Sequence, residues 1–474
     1  MLIKTHFRNQ VKTICGSIIL GCMAALATPA MAANDAMLEL IEIMRKKGSI
    51  TDEEYKLLKN AAHADAEVAA ANKDEVKKEV EKVTKDLPKI ETAGKFKVSS
   101  RDGDWSWQPI GRIMADYNLA SSDESKIGSD AFLRRARLGF QGTMFKHWIF
   151  KFEMDFAEDG VSTKDAYLGY KSGNWWIKTG QSHIPYGLST MSSSKYMTFI
   201  ERPLLADGPL QRARQLGVAA FTKDSGGRWT LHAGAFGGAV GSGGGGSVDD
   251  ELNVAARGTF VPLMQDKNHL LTIGAGIWYR DMVDKTLTVS ADPGIIRVAP
   301  NFQSAAFGSQ AGATAVDNTL GFNIEGAVVY GPFGLKSEYS HMTVNAERGG
   351  VSDVDLDGYY AEASYFLTGE SLNYDTGKAQ FGSVAPKGIV GKGGIGAWQV
   401  AVRYDVLNLN DAVDALGAGA GGDQSAFTAG LNWYVNKNMR FMLNYVRVLE
   451  LDRPGNVFDN DEPHALTFRG QVYW

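Results

Sequence analysis

Cysteine is almost missing. The chain has two, Cys15 and Cys22, and both fall in a segment that reads as a removable leader. Lys4, Arg8 and Lys12 make a basic start, Ile14 to Leu26 an apolar run, and Ala30-Met31-Ala32 a small-x-small cleavage site. A signal peptide of residues 1–32 is expected, with Ala33 as the mature start. An uncleaved membrane helix is the first alternative, but the apolar run is shorter than the ~20 residues a span needs. A lipoprotein leader through Ile19-Leu20-Gly21-Cys22 is the second. A mature chain without cysteine has no disulfide framework, thiol nucleophile or cysteine metal site.

Other absences narrow the function. No later apolar run is long enough for a membrane helix. The net charge of −5, more acidic still once Lys4, Arg8 and Lys12 are removed, argues against nucleic acid as a partner. The eight histidines, His147, His183, His232, His269 and His341 among them, show no metal-ligand spacing. The glycine run Gly241 to Gly246 has no Lys-Ser/Thr after it and is read as a loop, not a phosphate cradle. His232 and Ser247 offer no convincing catalytic pair. No enzyme, metal or cofactor is expected.

What the chain does have is alternation. In Trp148 to Phe156, the residues Trp148, Phe150, Phe152, Met154 and Phe156 alternate with Ile149, Lys151, Glu153 and Asp155. Period two marks a strand with two unlike faces. Phe132, Ala136, Leu138 and Phe140 likewise stand opposite Arg135, Arg137 and Gln141, with Arg134 on the apolar face or at a bulge. Ile113, Ala115, Tyr117 and Leu119 oppose Arg112, Asp116 and Asn118. A closed barrel turns one face to lipid and the other to a wet lumen, and pairs every backbone group between strands.

About sixteen such segments run from 107–119 to 464–474, an all-β transmembrane antiparallel barrel. Short and long connections alternate, as expected for periplasmic turns and external loops. Thr368 to Ile395 breaks that rule; a hairpin hidden there would make eighteen strands. The last strand sets Leu466, Phe468, Gly470, Val472 and Trp474 on one face. A terminal aromatic is similar to the signal read by the outer-membrane assembly machinery. Tyr117, Trp148, Tyr170, Trp175, Trp229, Tyr279, Tyr330, Trp398, Tyr404, Trp433 and Trp474 suit interfacial girdles against outer-membrane lipid and lipopolysaccharide.

Residues 33–93 form a separate Ala-, Lys- and Glu-rich unit. Met37, Leu38, Leu40, Ile41 and Met44 make one helical face, and Thr51-Asp52-Glu53-Glu54 starts a second helix with a capping-box pattern. Val76, Val80, Val83 and Leu87 follow a coiled-coil spacing. A periplasmic stalk that oligomerises or tethers is one reading; a solvated amphipathic helix is the other.

Phe132-Leu133-Arg134-Arg135-Ala136-Arg137-Leu138-Gly139-Phe140, Lys151 to Ala157 and Asp165-Ala166-Tyr167-Leu168-Gly169-Tyr170 carry a resemblance. So do Lys178-Thr179-Gly180-Gln181, Ile184-Pro185-Tyr186-Gly187-Leu188, Tyr196 to Arg202, Arg403 to Asp411 and Gly430-Leu431-Asn432-Trp433-Tyr434. Over residues 105–474 the chain resembles the phosphate-selective porin O and P family. The resemblance implies a trimeric outer-membrane channel of sixteen strands, in which basic residues help small anionic solutes, phosphate or polyphosphate among them, through a narrowed pore.

The residues themselves point the same way. Arg135, Arg137, Lys151 and Lys178 face the inferred lumen, and the long insertion at 183–212 adds Lys195, Arg202 and Arg212, with Arg214 just beyond. Cations of one sign in a constriction concentrate anions. Glu153, Asp155 and Asp165 share that face, so a general, weakly selective porin that also tethers the envelope through its N-terminal segment is the competing expectation.

Overall fold

The computed structural model describes residues 28–474 except 85–86, 123, 126, 158–159, 207–209, 239–251, 293, 296–300, 309–315 and 347–352. Residues 1–27 of the expected 1–32 leader, and the Gly241–Gly246 run with Ser247, therefore lie outside the described residues.

Two compact units are present, divided at Lys89. The first is a helical hairpin, α1 (Thr28–Lys46) and α2 (Asp52–Thr84). Thr51 caps α2 reciprocally: Glu54 N–H donates to its Oγ1 at 3.2 Å, and its own N–H donates to Glu54 Oε2 at 2.8 Å. Ile41 and Ala62 are the buried apolar pair of this unit. Helix α2 ends at Thr84, so Leu87 falls outside it and the expected seam is shorter by one position.

The second unit is the barrel. Among the described residues sixteen strands close it: β1 (Ser106–Ser121), β2 (Asp130–Met144), β3 (Trp148–Asp155), β4 (Ser162–Ser172), β5 (Trp175–His183), β6 (Arg214–Lys223), β7 (Trp229–Phe236), β8 (Asn253–Asp266), β9 (His269–Lys285), β10 (Val316–Tyr330), β11 (Phe333–Asn345), β12 (Val354–Phe366), β13 (Ala397–Asn408), β14 (Asp423–Asn436), β15 (Met439–Asp452) and β16 (His464–Tyr473). Every neighbour is antiparallel. β16 returns to β1, with Phe468 opposite Tyr117 and Arg469 opposite Asp116. Trp474 exchanges backbone hydrogen bonds with Gly111 at 3.2 Å each way. Its indole lies where a Cβ on Gly111 would stand, 2.2 Å away, so glycine is required at this seam.

The alternation behaves as a barrel demands. Ile113, Ile177, Val218, Ile273, Phe322, Val402 and Phe468 are exposed outward, whereas Asp116, Arg137, Gln215, Asn323 and Arg403 are buried on the inner face. At the short-turn end, Trp398 stacks on Trp433 at 5.4 Å and Trp433 on Phe441 at 5.7 Å, a piece of aromatic girdle.

One phase assignment is corrected. The register slips between Met114 and Ala115: Met114 faces Arg135, and Ala115 faces Leu133. Arg134 is the extra residue of a bulge, which reverses the phase before it. Leu133, not Phe132, is the outward residue, and Phe132 stands opposite Asp116 on the inner face.

Thr368 to Ile395 adds no barrel strand, so the eighteen-strand alternative falls. Its one ladder, Tyr374–Asp375 with Gln380–Phe381, lies apart from the barrel sheet, and Val390 with Gly394 forms an isolated parallel bridge. Its apolar residues fold inward instead. Leu372, Tyr374, Phe381 and Val384 pack with Val261, Leu270, Ala327 and Val329 of the inner wall and with Leu188 of the long insertion. Burying these side chains in the lumen, not the strand pattern, decides the path of this segment.

At the opposite end, an antiparallel pair of Leu287–Ala291 with Gln303–Phe307 covers the insertion. Leu204, Leu205 and Leu210 pack there with Leu287, Val289, Phe307, Val344, Leu356 and Leu407.

Candidate functional site

The insertion between β5 and β6 crosses the lumen and is bound to the far wall. Inner-face polar residues, each buried and each using its side chain on loop backbone, hold it. Arg440 donates to Met197 O at 2.7 Å, Asn432 to Thr198 O at 2.8 Å, Arg469 to Ile200 O at 2.5 Å and Arg403 to Glu201 O at 2.9 Å. Asn444 Oδ1 accepts from Ile200 N–H at 3.0 Å. Glu338 accepts from the N–H groups of Leu188 and Ser189 at 2.8 and 2.7 Å, and from the Tyr360 hydroxyl at 2.8 Å.

Glu201 makes the densest anchor. Arg134 donates to both its oxygens at 2.9 and 3.1 Å, and Arg469 to Oε1 at 2.8 Å. Burial works against its charge, yet Arg134, Arg469 and Arg135 hold its carboxyl well below the usual range. Arg469 also clamps Asp116 across the closing seam at 2.7 and 2.6 Å.

These anchors fix the insertion to β11–β16, and β1–β6 form the opposite wall. That wall is basic. Arg112 donates to Glu153 at 2.8 Å and to Ser194 Oγ of the insertion at 2.7 Å. Arg137 holds Asp155 at 2.7 Å. Asp165 accepts from Lys151 at 2.5 Å and from Arg214 at 3.0 Å. Glu153, Asp155 and Asp165 are thus all engaged. Arg135, Lys178 and Lys195 have no ion pair among the described residues. Arg135 is buried with Nη1 3.8 Å from Met114 Sδ. Lys178 lies over the Tyr167 and Trp176 rings at 5.0 and 4.6 Å. Lys195 lies over Tyr196 and Tyr473 at 5.6 and 5.4 Å. Burial, and then the like charges of Arg112 and Lys151, push the Lys195 ammonium down to about 7.

The expected residues therefore divide. Lys151 and Lys178 line a cavity beside the insertion; Arg135 and Arg137 are buried on the inner face of β2, Lys195 lies on the insertion, and Arg214 pairs with Asp165 at the start of β6. Arg202 turns into the insertion, donating to the carbonyls of Ser189 and Ser192, and Arg212 is half-buried on the return towards β6. The serines of the insertion are engaged too: Ser194 accepts from Arg112, and Ser192 Oγ from Phe381 N–H at 3.4 Å. Arg112 and Lys164, which is 4.0 Å from Asp155, join the basic wall. The inward phase of Arg112 was readable, whereas Lys164 is the extra residue of a bulge beside the inward Asp165; the partners of both lie on other strands, and no local spacing reveals them.

A closed sixteen-strand wall, an internal loop and a basic passage describe a channel. Residues 109–474 match the phosphate-selective porin O and P family. The chain belongs to this family. Porin O of Pseudomonas aeruginosa is 30% identical over 409 residues, covering 80% of this chain and 91% of its own. An uncharacterised protein of Caulobacter vibrioides is 30% identical, covering 72% and 68%. Among solved structures, the outer-membrane protein OmpT of Vibrio cholerae with loop L8 deleted superposes with a TM-score of 0.50 at 14% identity, covering 78% of this chain and all of that one. The porin is a bacterial outer-membrane channel and not an enzyme. No helix among its described residues is long and apolar enough to cross a membrane; its strands do so.

Proposed function

We propose that this porin passes small anions in preference to cations by passive diffusion. One observation carries the reading: on the wall facing the passage every carboxylate is paired, while Arg135, Lys178 and Lys195 are not. Unmatched charge of one sign in a narrow, partly desolvated lumen attracts counter-ions and lowers their barrier. Several weak sites in series suit transit better than one tight pocket. Phosphate and polyphosphate fit the guanidinium and ammonium donors, and the family's name favours them. In salts that pair a small anion with a bulky cation, and the reverse, single-channel current of the purified protein should follow the anion. Current that follows the cation would sink the proposal.

The same reading extends to the envelope. A signal peptide at residues 1–32 delivers the chain, Trp474 presents the assembly signal, and three copies form the working unit against lipid and lipopolysaccharide. In the helical unit Leu40, Leu57 and Val76 are exposed at 56, 74 and 47%, which favours a periplasmic partner or self-association over a purely solvated helix. Deleting residues 33–84 tests this: the trimer yield or envelope integrity should drop while conductance per channel stays. An unaltered yield and intact envelopes would remove the stalk from the account.

A further inference from the structure

Beside the insertion lies a cavity of about 500 Å³, lined by Lys151, Asp165, Tyr167, Trp176, Lys178, Phe221 and His232 among others. Its wall holds more than charge. Trp176, Phe221 and His232 are register neighbours on β5, β6 and β7. Trp176 and Phe221 stack at 5.4 Å with planes 8° apart, and His232 meets Trp176 edge-on at 5.0 Å. Trp176 and Phe221 are only half-buried. Apolar residues of the inner face elsewhere, Val261, Leu270, Val329 and Val344 among them, are covered by inward-folded segments. A passage for inorganic anions gains nothing from apolar rings facing water, and leaving them wet forgoes their burial.

Lys178 completes the arrangement. Its ammonium has no carboxylate partner among the described residues and sits 4.6 Å above the Trp176 ring. A carboxylate bound there leaves any attached flat ring alongside the Trp176–Phe221 stack, with Tyr167 on the other side of the ammonium at 5.0 Å. The cavity volume lies within the range of small-molecule sites. We infer that this cavity is a transit site for aromatic carboxylates, which it selects over aliphatic carboxylates of equal charge and similar size. The inference rests on the anion-channel reading above and names a substrate class for the same passage.

The test uses the full-length channel in planar bilayers, with benzoate and cyclohexanecarboxylate as blockers of the chloride current. Ring–ring contact favours benzoate, so it should halve the current at a concentration roughly 2- to 10-fold lower. In Trp176→Leu/Phe221→Leu the two concentrations should converge. Equal concentrations in the wild type overturn the inference. If the zero-current potential still favours chloride, the anion-channel reading survives that result; if it favours the cation, both fall. A benzoate advantage that persists in the double variant overturns the assignment to this cavity. The wild-type comparison depends on no variant folding, and Phe221→Leu alone serves if the double variant does not assemble.

Discussion

Asp165→Asn should make the passage more anion-preferring. Asp165 accepts from Lys151 at 2.5 Å and from Arg214 at 3.0 and 3.4 Å. The amide keeps the side chain's shape, removes one negative charge and leaves two cations less neutralised. An ion passing about 6 Å away feels ~0.7 kcal/mol from that charge at the dielectric of water. The sign is opposite for anion and cation, so their ratio shifts by about 1.4 kcal/mol before screening. In 0.1 M salt a Debye length of ~10 Å leaves about 0.8 kcal/mol, a rise of about three- to fourfold in anion preference. In 1 M salt the length falls to ~3 Å and the rise shrinks to about 1.4-fold. A drier lumen enlarges both figures but keeps their order. Zero-current potentials of wild type and variant, measured at both ionic strengths, give the ratio directly. An unchanged or reduced anion preference, or a shift as large in 1 M salt as in 0.1 M, would refute the electrostatic argument.

Three further outcomes follow from the same contacts. Glu338→Ala orphans the N–H groups of Leu188 and Ser189 and the Tyr360 hydroxyl, at ~1–3 kcal/mol for each buried group left unpaired. The insertion should loosen and single-channel conductance rise or become noisy; a quiet, unchanged conductance contradicts the clamp. Lys195, with its ammonium pushed down to about 7, is charged below that pH and neutral above it. Anion preference should therefore fall as pH rises through about 7, and Lys195→Met should flatten the profile; a wild-type profile that is already flat removes Lys195 from the passage. Gly111→Val places a side chain into the Trp474 indole, an overpacking that costs ~1–3 kcal/mol. Heat-modifiable mobility on gels should then shift to lower temperature, and an unaltered transition would show that the seam tolerates the volume.

Period-two alternation made the barrel wall legible, because a strand between lipid and water has no other way to satisfy both faces. At Arg134 it left two choices, the apolar face or a bulge; the register takes the bulge, and the extra residue reverses the phase of Phe132. The lumen was harder to read. The inward phase of Lys178 was legible because Trp175 and Ile177, which precede it, face outward at 46 and 44% exposure. The partners of Arg112, Arg137 and Arg214 lie 41, 18 and 49 positions away along the chain, so which cations are neutralised is a property of the closed wall. The inward path of Thr368–Ile395 was hidden for a related reason. Leu372, Tyr374 and Phe381 find their apolar partners on β8, β9 and β10 and on the insertion, and no periodicity within the segment encodes that contact.

The zero-current potential of the wild-type channel across a potassium chloride gradient bears most directly on the central claim. Potassium and chloride move almost equally well in water, so the sign reports the pore alone. Unpaired Arg135, Lys178 and Lys195 predict chloride crossing first, which leaves the dilute side negative. A dilute side that turns positive would mean that the paired carboxylates, and not these three cations, govern the passage.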